Sequence, residues 1–334
     1  MNTMFPACEV RFPESAAHRT ATFYLAAEEY VAQHLPEDNY VFSWILPPTV
    51  VMGRHQIAHQ EFDLDYCAAE GIDIVRRKSG GGAIFADDRN IMWSLVTGSG
   101  DVESVFRAYA EAVAAALTAV GAPASATGRN DIVLENGGKV CGNAFYHFPN
   151  RNIVHGTMLY DTNMEAMQRA LRPAPEKLKA KGVQSVRSRI GLIKEYVSYG
   201  TAQLRLKLNA LLTNRSVALN EQDVQAIEEI EKTYRDPAYL FGHIQSADES
   251  ICGRIEGCGT IELYFTLTGS TISKVLLKGD YFELRPAQQA FNDAFTGIPF
   301  TPSQLQQRAR ECQLHQVIRG LSEEALQQFL ASKQ

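Results

Sequence analysis

Apolar residues recur at helical spacing across residues 15–34, where Ala17, Phe23, Tyr24, Ala27, Tyr30 and Val31 fall on one face. The period then shortens. Residues 41–46 predict a strand, Pro47-Pro48 a turn, and residues 49–53 a second strand. Residues 62–70 predict a short helix closed by Gly71. Residues 72–75 and 91–96 predict strands on either side of a loop. The alanine-rich stretch 102–120 predicts a long helix, ended by Gly121 and Pro123. Residues 131–134 and 139–144 flank Glu135-Asn136-Gly137-Gly138, which carries the Asn-Gly hairpin signal. A strand is expected at 153–160, and helices at 163–172, 202–213 and 221–234.

Past Asp236-Pro237 the pattern loosens. Two alternating runs follow, 254–268 and 271–278, joined by Thr268-Gly269-Ser270. A helix at 286–296 and a Gln-rich helical tail complete the chain. A boundary near residue 247 is expected. It leaves residues 1–247 as an α/β (α+β) domain with mixed sheets and residues 248–334 as a small α+β domain, a β-hairpin carrying helices. With 334 residues, two domains are the natural division.

A net charge of −6 argues against broad nucleic-acid binding, which needs a basic surface. No apolar run reaches membrane-spanning length. Residues 1–6 lack the basic and apolar regions of a signal peptide, so a cytoplasmic protein is expected. The six cysteines form no Cys-x-x-Cys pair and no zinc spacing with histidine, and are expected to be free thiols.

The chemistry concentrates in residues 76–90. Arg76 and Arg77 precede Ser79, Gly80, Gly81 and Gly82, then Ala83, Ile84 and Phe85. Glycine permits close approach of a ligand, and successive amides form an anion-binding concavity. The arginines add fork-shaped positive charge suited to phosphate or carboxylate. An anionic ligand is expected, a nucleotide or an acyl-adenylate. No Gly-Lys-Ser or Gly-Lys-Thr follows, and the dinucleotide spacing is missing, so neither common phosphate loop fits.

Three further clusters stand out: Gly128-Arg129-Asn130-Asp131 with Gly138-Lys139-Val140-Cys141-Gly142-Asn143-Ala144; His155-Gly156-Thr157; and the basic segment 177–189. A lysine entering a strand among small residues can point into a pocket and hold charge there. Each cluster alone also has an ordinary reading: a solvated hairpin lysine, a satisfied structural histidine, a solvated charge run.

Taken in order, R-R-x-S-G-G-G, G-R-N-D, G-K-x-x-G-x-A, H-G-T and K-x-x-x-K-G-x-x-S-V-R-S-R, the chain resembles lipoate–protein ligases from about residue 20 to its end. Gly53-Arg54-His55-Gln56 and Lys278-Gly279-Asp280-Tyr281-Phe282 belong to the same resemblance. It implies a catalytic fold shared with biotin ligases and octanoyltransferases. It also implies activation of lipoate by Mg-ATP to lipoyl-AMP, with release of pyrophosphate, and transfer of the lipoyl group to a lysine. Acceptors would be lipoyl domains of 2-oxoacid dehydrogenase E2 subunits or the glycine-cleavage H protein.

Carried over by motif, the adenylate site would include Arg76, Arg77, Ser79, Gly80, Gly81, Gly82, Ala83, Ile84, Phe85, Asn130, Asp131, Gly142, His155, Gly156 and Thr157. Lys139 would make the central catalytic contact. Lys181, Gly182 and Val183 would close over the adenylate, and Asp131 would sit near Mg²⁺. Ala86, Arg89 and Val154 depart from the family pattern, which often has His, Gly and His there. One rival is a cysteine-dependent octanoyl or lipoyl transferase. Strand alternation would put Cys141 on the same face as Lys139, whose ammonium would favour a thiolate. A non-catalytic lipoate- or adenylate-binding protein is the other.

Overall fold

The computed structural model describes residues 7–98, 100–127, 130–172, 190–242 and 247–332. Within them the chain divides into two compact units. The first takes residues up to 51, 59–77 and 84–240, and the second gathers 52–58, 78–83 and 241 onward.

Strands of the first unit, in chain order, are β1 (Ala7–Arg11), β2 (Tyr40–Trp44), β3 (Thr49–Met52), β4 (Asp73–Arg76), β5 (Ile84–Ala86), β6 (Asn90–Thr97), β7 (Ala124–Thr127), β8 (Asp131–Leu134), β9 (Lys139–Phe148), β10 (Arg151–Leu159) and β11 (Thr213–Ala218). Eight of them form a mixed sheet in the order β11-β1-β2-β6-β10-β9-β8-β7. β1 runs parallel to both β11 and β2, and the pairs from β2 through β7 are antiparallel. A three-stranded sheet, β4-β3-β5, belongs to the same unit. The strand after the glycine loop is therefore β5. The loop thus joins two strands of one sheet, as expected, but the run at 90–97, expected to be its following strand, belongs to the large sheet.

Helix α1 (Ala21–His34) is buried almost all round. A helix apolar on every side has to be enclosed, and here the sheet and the helix Glu221–Arg235 enclose it. The latter starts at a capping box, with the Asn220 side chain accepting from Asp223 N–H and Asp223 accepting from Asn220 N–H. The expected helix at 15–34 starts only at Ala21, because His18 takes φ 58° and breaks the run. On the other face of the sheet, Phe106 of the helix Val102–Ala119 meets Phe145 edge-on at 5.6 Å.

The second unit contains three antiparallel strands, β12 (Glu249–Ile255), β13 (Gly259–Thr268) and β14 (Thr271–Gly279), where a single hairpin was expected. The long alternating run is cut at residues 256–258, where Gly257 takes φ 76° and Gly259, which opens β13, takes φ 130°. Helices Ala287–Phe295, Pro302–Glu311 and Glu323–Ala331 complete a core around Phe265, Leu277, Phe291 and Phe295.

Candidate functional site

Lys139 opens β9 just after a tight turn. Gly137 takes φ 80°, and the Gly138 N–H is held by Asn136 Oδ1 at 2.8 Å. Gly138 and Gly191 pass so closely that a Cβ on Gly138 would lie 2.7 Å from Gly191. Gly191 N–H in turn donates to the Lys139 carbonyl at 2.9 Å. The turn and the returning chain thus fix the backbone on both sides of the lysine.

The pairing of β8 with β9 contains a bulge. Ile132 faces Cys141 and Val133 faces Lys139, so Val140 is the extra residue. A bulge inverts the simple alternation. The Lys139 side chain lies across Gly142, where a Cβ would stand 2.9 Å from both Cε and Nζ. Nζ pairs with Asp131 Oδ1 at 2.6 Å, and both side chains are partly exposed. Asp131, Gly142, Thr157 and Met92 form one cross-strand row.

Cys141 points the other way, donating to Asn143 Oδ1 at 3.3 Å. The same-face expectation for Lys139 and Cys141 is therefore overturned. The thiolate that the rival transferase would need is not favoured either. Burial raises the thiol's pKa to about 12, outweighing the lowering effect of Lys139.

In the next row, Ala144, His155 and Ser94 face α1. His155 Nδ1 lies 2.9 and 3.0 Å from the two oxygens of Glu28, a fully buried carboxylate. Ser94 donates to Glu28 at 2.6 Å, and Trp44 Nε1 donates to Ser94 at 2.9 Å. The neighbouring Glu29 accepts from the Tyr234 hydroxyl. Two adjacent buried glutamates would cost several kcal/mol each if unpartnered, and each has a partner. His155 and Thr157 are both buried. Gly156 faces away from Lys139, and a Cβ there would overlap Asn143 Oδ1. Asn130 donates from Nδ2 to the Asn143 carbonyl at 2.8 Å, tying the start of β8 to β9.

Arg76 and Arg77, expected to offer their forks to a phosphate or carboxylate, are both buried. Arg76 Nε donates to the Leu240 carbonyl at 2.9 Å, and Arg77 Nη1 donates to the Val51 carbonyl at 3.3 Å. Burial pulls the Arg77 guanidinium down to about 10, with Tyr239, Glu28 and Glu61 working against it. It stays a cation at neutral pH. Ile84 and Phe85 form β5.

Ser79, Gly80, Gly81, Gly82 and Ala83 belong to the second unit. There the loop meets both of the outlying motifs. Gly81 N–H donates to the Tyr281 carbonyl at 3.0 Å, and Arg54 N–H donates to the Ser79 carbonyl at 2.9 Å. A Cβ on Gly80 would overlap the Tyr281 carbonyl oxygen, and one on Gly53 would overlap that of Gly81. The glycines are needed for backbone packing as well as for any ligand. The Gly81 amide, expected to be open to an anion, is engaged by Tyr281.

Lys181, Gly182 and Val183, with the whole segment 177–189, lie outside the described residues, as do Gly128 and Arg129. Among the described residues no group of three or more His, Cys, Asp or Glu converges as a metal site. No described helix is long and apolar enough to cross a membrane.

Residues 20–209 match the Lipoyl protein ligase A/B catalytic domain, and residues 248–330 match the Bacterial lipoate protein ligase C-terminus. Lipoate–protein ligase 1 of Staphylococcus aureus is 32% identical over 270 residues, covering 78% of this chain and 82% of the relative. The chain belongs to the lipoate–protein ligase family. Lipoate-protein ligase LplJ of Bacillus subtilis is likewise 32% identical, covering 77% of this chain and 81% of its own. The fold of this lipoate–protein ligase is that of LipL1 from P. falciparum, solved in complex with lipoate, with a TM-score of 0.74 at 16% identity over 92% of this chain and 94% of that one. A lipoate-protein ligase A bound with ATP has a TM-score of 0.61 at 22% identity, over 72% of this chain and all of that one.

Two of the departures from the ligase pattern are apolar in a sound way. Ala86 and Val154 are fully buried, Ala86 in the core around α1 and Val154 on the sheet face away from His155. Sequence reading missed Glu28, Ser94, Trp44 and Asn143. Glu28 had a signal: a Glu-Glu pair within the otherwise apolar run Leu25-Ala26-Ala27 and Tyr30-Val31 of a ligase helix.

Proposed function

We propose that Lys139 is the centre of an ATP-dependent lipoate–protein ligase reaction in this chain. One observation carries the reading: Lys139 is laid across Gly142, with Asp131 as its counter-ion and both partly open to solvent. The lysine is thereby held over Gly142, with an exchangeable partner. An incoming carboxylate or phosphate can replace Asp131 in a charge-assisted hydrogen bond.

In the first half-reaction the lipoate carboxylate attacks the α-phosphorus of ATP. The acyl–phosphate bond forms and pyrophosphate leaves. In the second, an acceptor lysine amine attacks the acyl carbonyl, AMP leaves, and the amine proton is lost. Lys139 would balance the carboxylate first and then the charge that grows on the acyl-phosphate. Mg²⁺, arriving with ATP, takes few protein ligands, and one carboxylate with phosphate oxygens suits it. Asp131 is the residue that would hold it. Arg77 and the Ser79–Gly82 backbone would serve the nucleotide, and the Glu28–His155 pair would line the acyl side.

Lipoyl domains of E2 subunits or the glycine-cleavage H protein are the acceptors of this reading. Octanoate is an alternative acyl substrate. The cytosol is its setting, where the six free cysteines remain reduced. The cysteine-dependent transferase is not favoured, because Cys141 is sealed and protonated.

The test is pyrophosphate release from ATP by purified protein without acceptor, with and without lipoate, beside Lys139→Ala. Lipoate-dependent release that vanishes in the variant supports the reading. Release that ignores lipoate, or that survives in Lys139→Ala, overturns it.

A further inference from the structure

We propose that Glu283, acting through His55 and Tyr281, is a positioning residue for the glycine loop. This rests on the reading above that the loop serves the nucleotide.

The contacts all lie in the second unit. Glu283 has two engaged oxygens. Oε1 accepts from Ala287 N–H at 3.1 Å, at the start of the helix Ala287–Phe295. Oε2 lies 3.3 Å from His55 Nε2 and 3.7 Å from Arg54 Nη1. The His55 ring stacks on the Tyr281 ring, with centroids 4.6 Å apart and planes 13° from parallel. The His55 carbonyl accepts from Gly279 N–H at 3.1 Å, and the Tyr281 carbonyl accepts from Gly81 N–H at 3.0 Å. One carboxylate therefore links a helix end, the Gly53–Gln56 segment and, through the ring stack, the loop backbone.

This arrangement accounts for features that loop chemistry alone leaves idle. A buried histidine paired with a half-buried glutamate, far along the chain from Lys139, has no place in acyl transfer. Yet it is built from Gly53-Arg54-His55-Gln56 and from residues next to Lys278-Gly279-Asp280-Tyr281-Phe282, the two motifs without an assigned task. A loop of three glycines is intrinsically mobile. Its conformational entropy must be removed before it can hold a ligand tightly. The clasp removes it in advance. With Gly81 N–H committed to Tyr281, that amide is a structural donor.

Two conservative variants, Glu283→Gln and His55→Gln, test this by two independent measurements. The first is hydrogen–deuterium exchange of the peptide containing residues 78–83. Exchange should accelerate there in both variants, while the cores of both units stay protected. The second is lipoate-dependent pyrophosphate release. The KM for ATP should rise about tenfold, the effect of losing one supporting hydrogen bond to a charged group. kcat should stay within about threefold, the signature of lost binding order rather than lost chemistry. Transfer from preformed lipoyl-AMP should be less affected than its formation.

Exchange at 78–83 equal to wild type, or an unchanged KM for ATP in an active enzyme, overturns the proposal. Loss of protection throughout the variant also overturns it, since the pair would then be a general structural prop. If the wild type itself releases no pyrophosphate with lipoate, the ligase reading fails, while the exchange arm still decides whether the clasp holds the loop.

Discussion

Lys139 and Cys141 stand two residues apart on one strand and face opposite sides of the sheet. The bulge at Val140 separates them, leaving the ammonium beside Asp131 and sealing the thiol against Asn143. Cys141→Ser should therefore keep ligase kcat/KM within about threefold of wild type, as expected for a substitution outside the reacting centre. The wild type should keep its activity in iodoacetamide at pH 7.5, with Cys141 unmodified while the exposed Cys252 and Cys312 are alkylated. Rapid inactivation that tracks modification of Cys141 would reopen thioester chemistry.

Lys139→Met should reduce lipoate-dependent pyrophosphate release by about a hundredfold or more, the scale of removing one preorganised charge donor. The melting temperature should move little, because the Lys139–Asp131 pair is partly exposed and such pairs add at most about 1 kcal/mol. A large drop in melting temperature would recast Lys139 as structural.

Gly142→Ala separates position from charge. The new methyl would meet only the flexible end of Lys139, 2.9 Å away. Folding should be nearly unaffected, while Nζ is pushed off Asp131 and kcat falls. Gly156→Ala should behave oppositely, since its Cβ would overlap the buried Asn143 side chain. Unfolding curves beside kinetics for the two variants would show whether the two glycines really divide in this way.

Glu28→Ala should destabilise the first unit by roughly 2–5 kcal/mol, because it leaves the Ser94 hydroxyl and His155 Nδ1 without their buried partner. Urea unfolding measures it. A cost below the error of the fit would mean that water or a rearranged side chain replaces the carboxylate at no loss.

Acid should loosen the second unit in a defined order. Burial holds the His55 pKa below its usual 6.5; Glu283 raises it in part, while Arg54 and Lys278 lower it further. The unfolded chain therefore takes up the proton first, and stability falls as pH drops through about 6.5. Burial raises Glu283, but His55, Arg54 and the Ala287 amide outweigh it and hold the carboxyl below its usual 4.5. Its share of stability is lost only in more acidic solution. Thermal unfolding from pH 7.5 to 5.5 should show a slope that flattens in His55→Gln. Parallel slopes would remove His55 from the account.

Much of the fold was legible because long periodic segments announce themselves. The helices at 102–119 and 221–235 and the 135–138 hairpin turn are of this kind. Strands β1, β7 and β11 were not legible. They are four to six residues long, β7 and β11 are mainly exposed, and β11 owes its state to pairing with β1 some 200 positions earlier. The motif order pointed to Lys139 and Asp131, which the structure pairs. It could not reveal that Arg76 and Arg77 are buried, nor that a bulge turns Cys141 away, because burial and register are settled by distant neighbours.

The clasp at Tyr281 has a consequence for the chain during its synthesis. Gly81 leaves the ribosome about 200 residues before its partner carbonyl. At ~5–20 residues per second the loop waits on the order of 10–40 s for the contact that organises it. By the end of that interval the sheet strands from β2 to β10 are made, but the Gly81 amide still waits for the Tyr281 carbonyl. Nascent chains halted before residue 281 should therefore present the Gly80–Gly82 stretch to proteases and chaperones, whereas the finished protein keeps it covered.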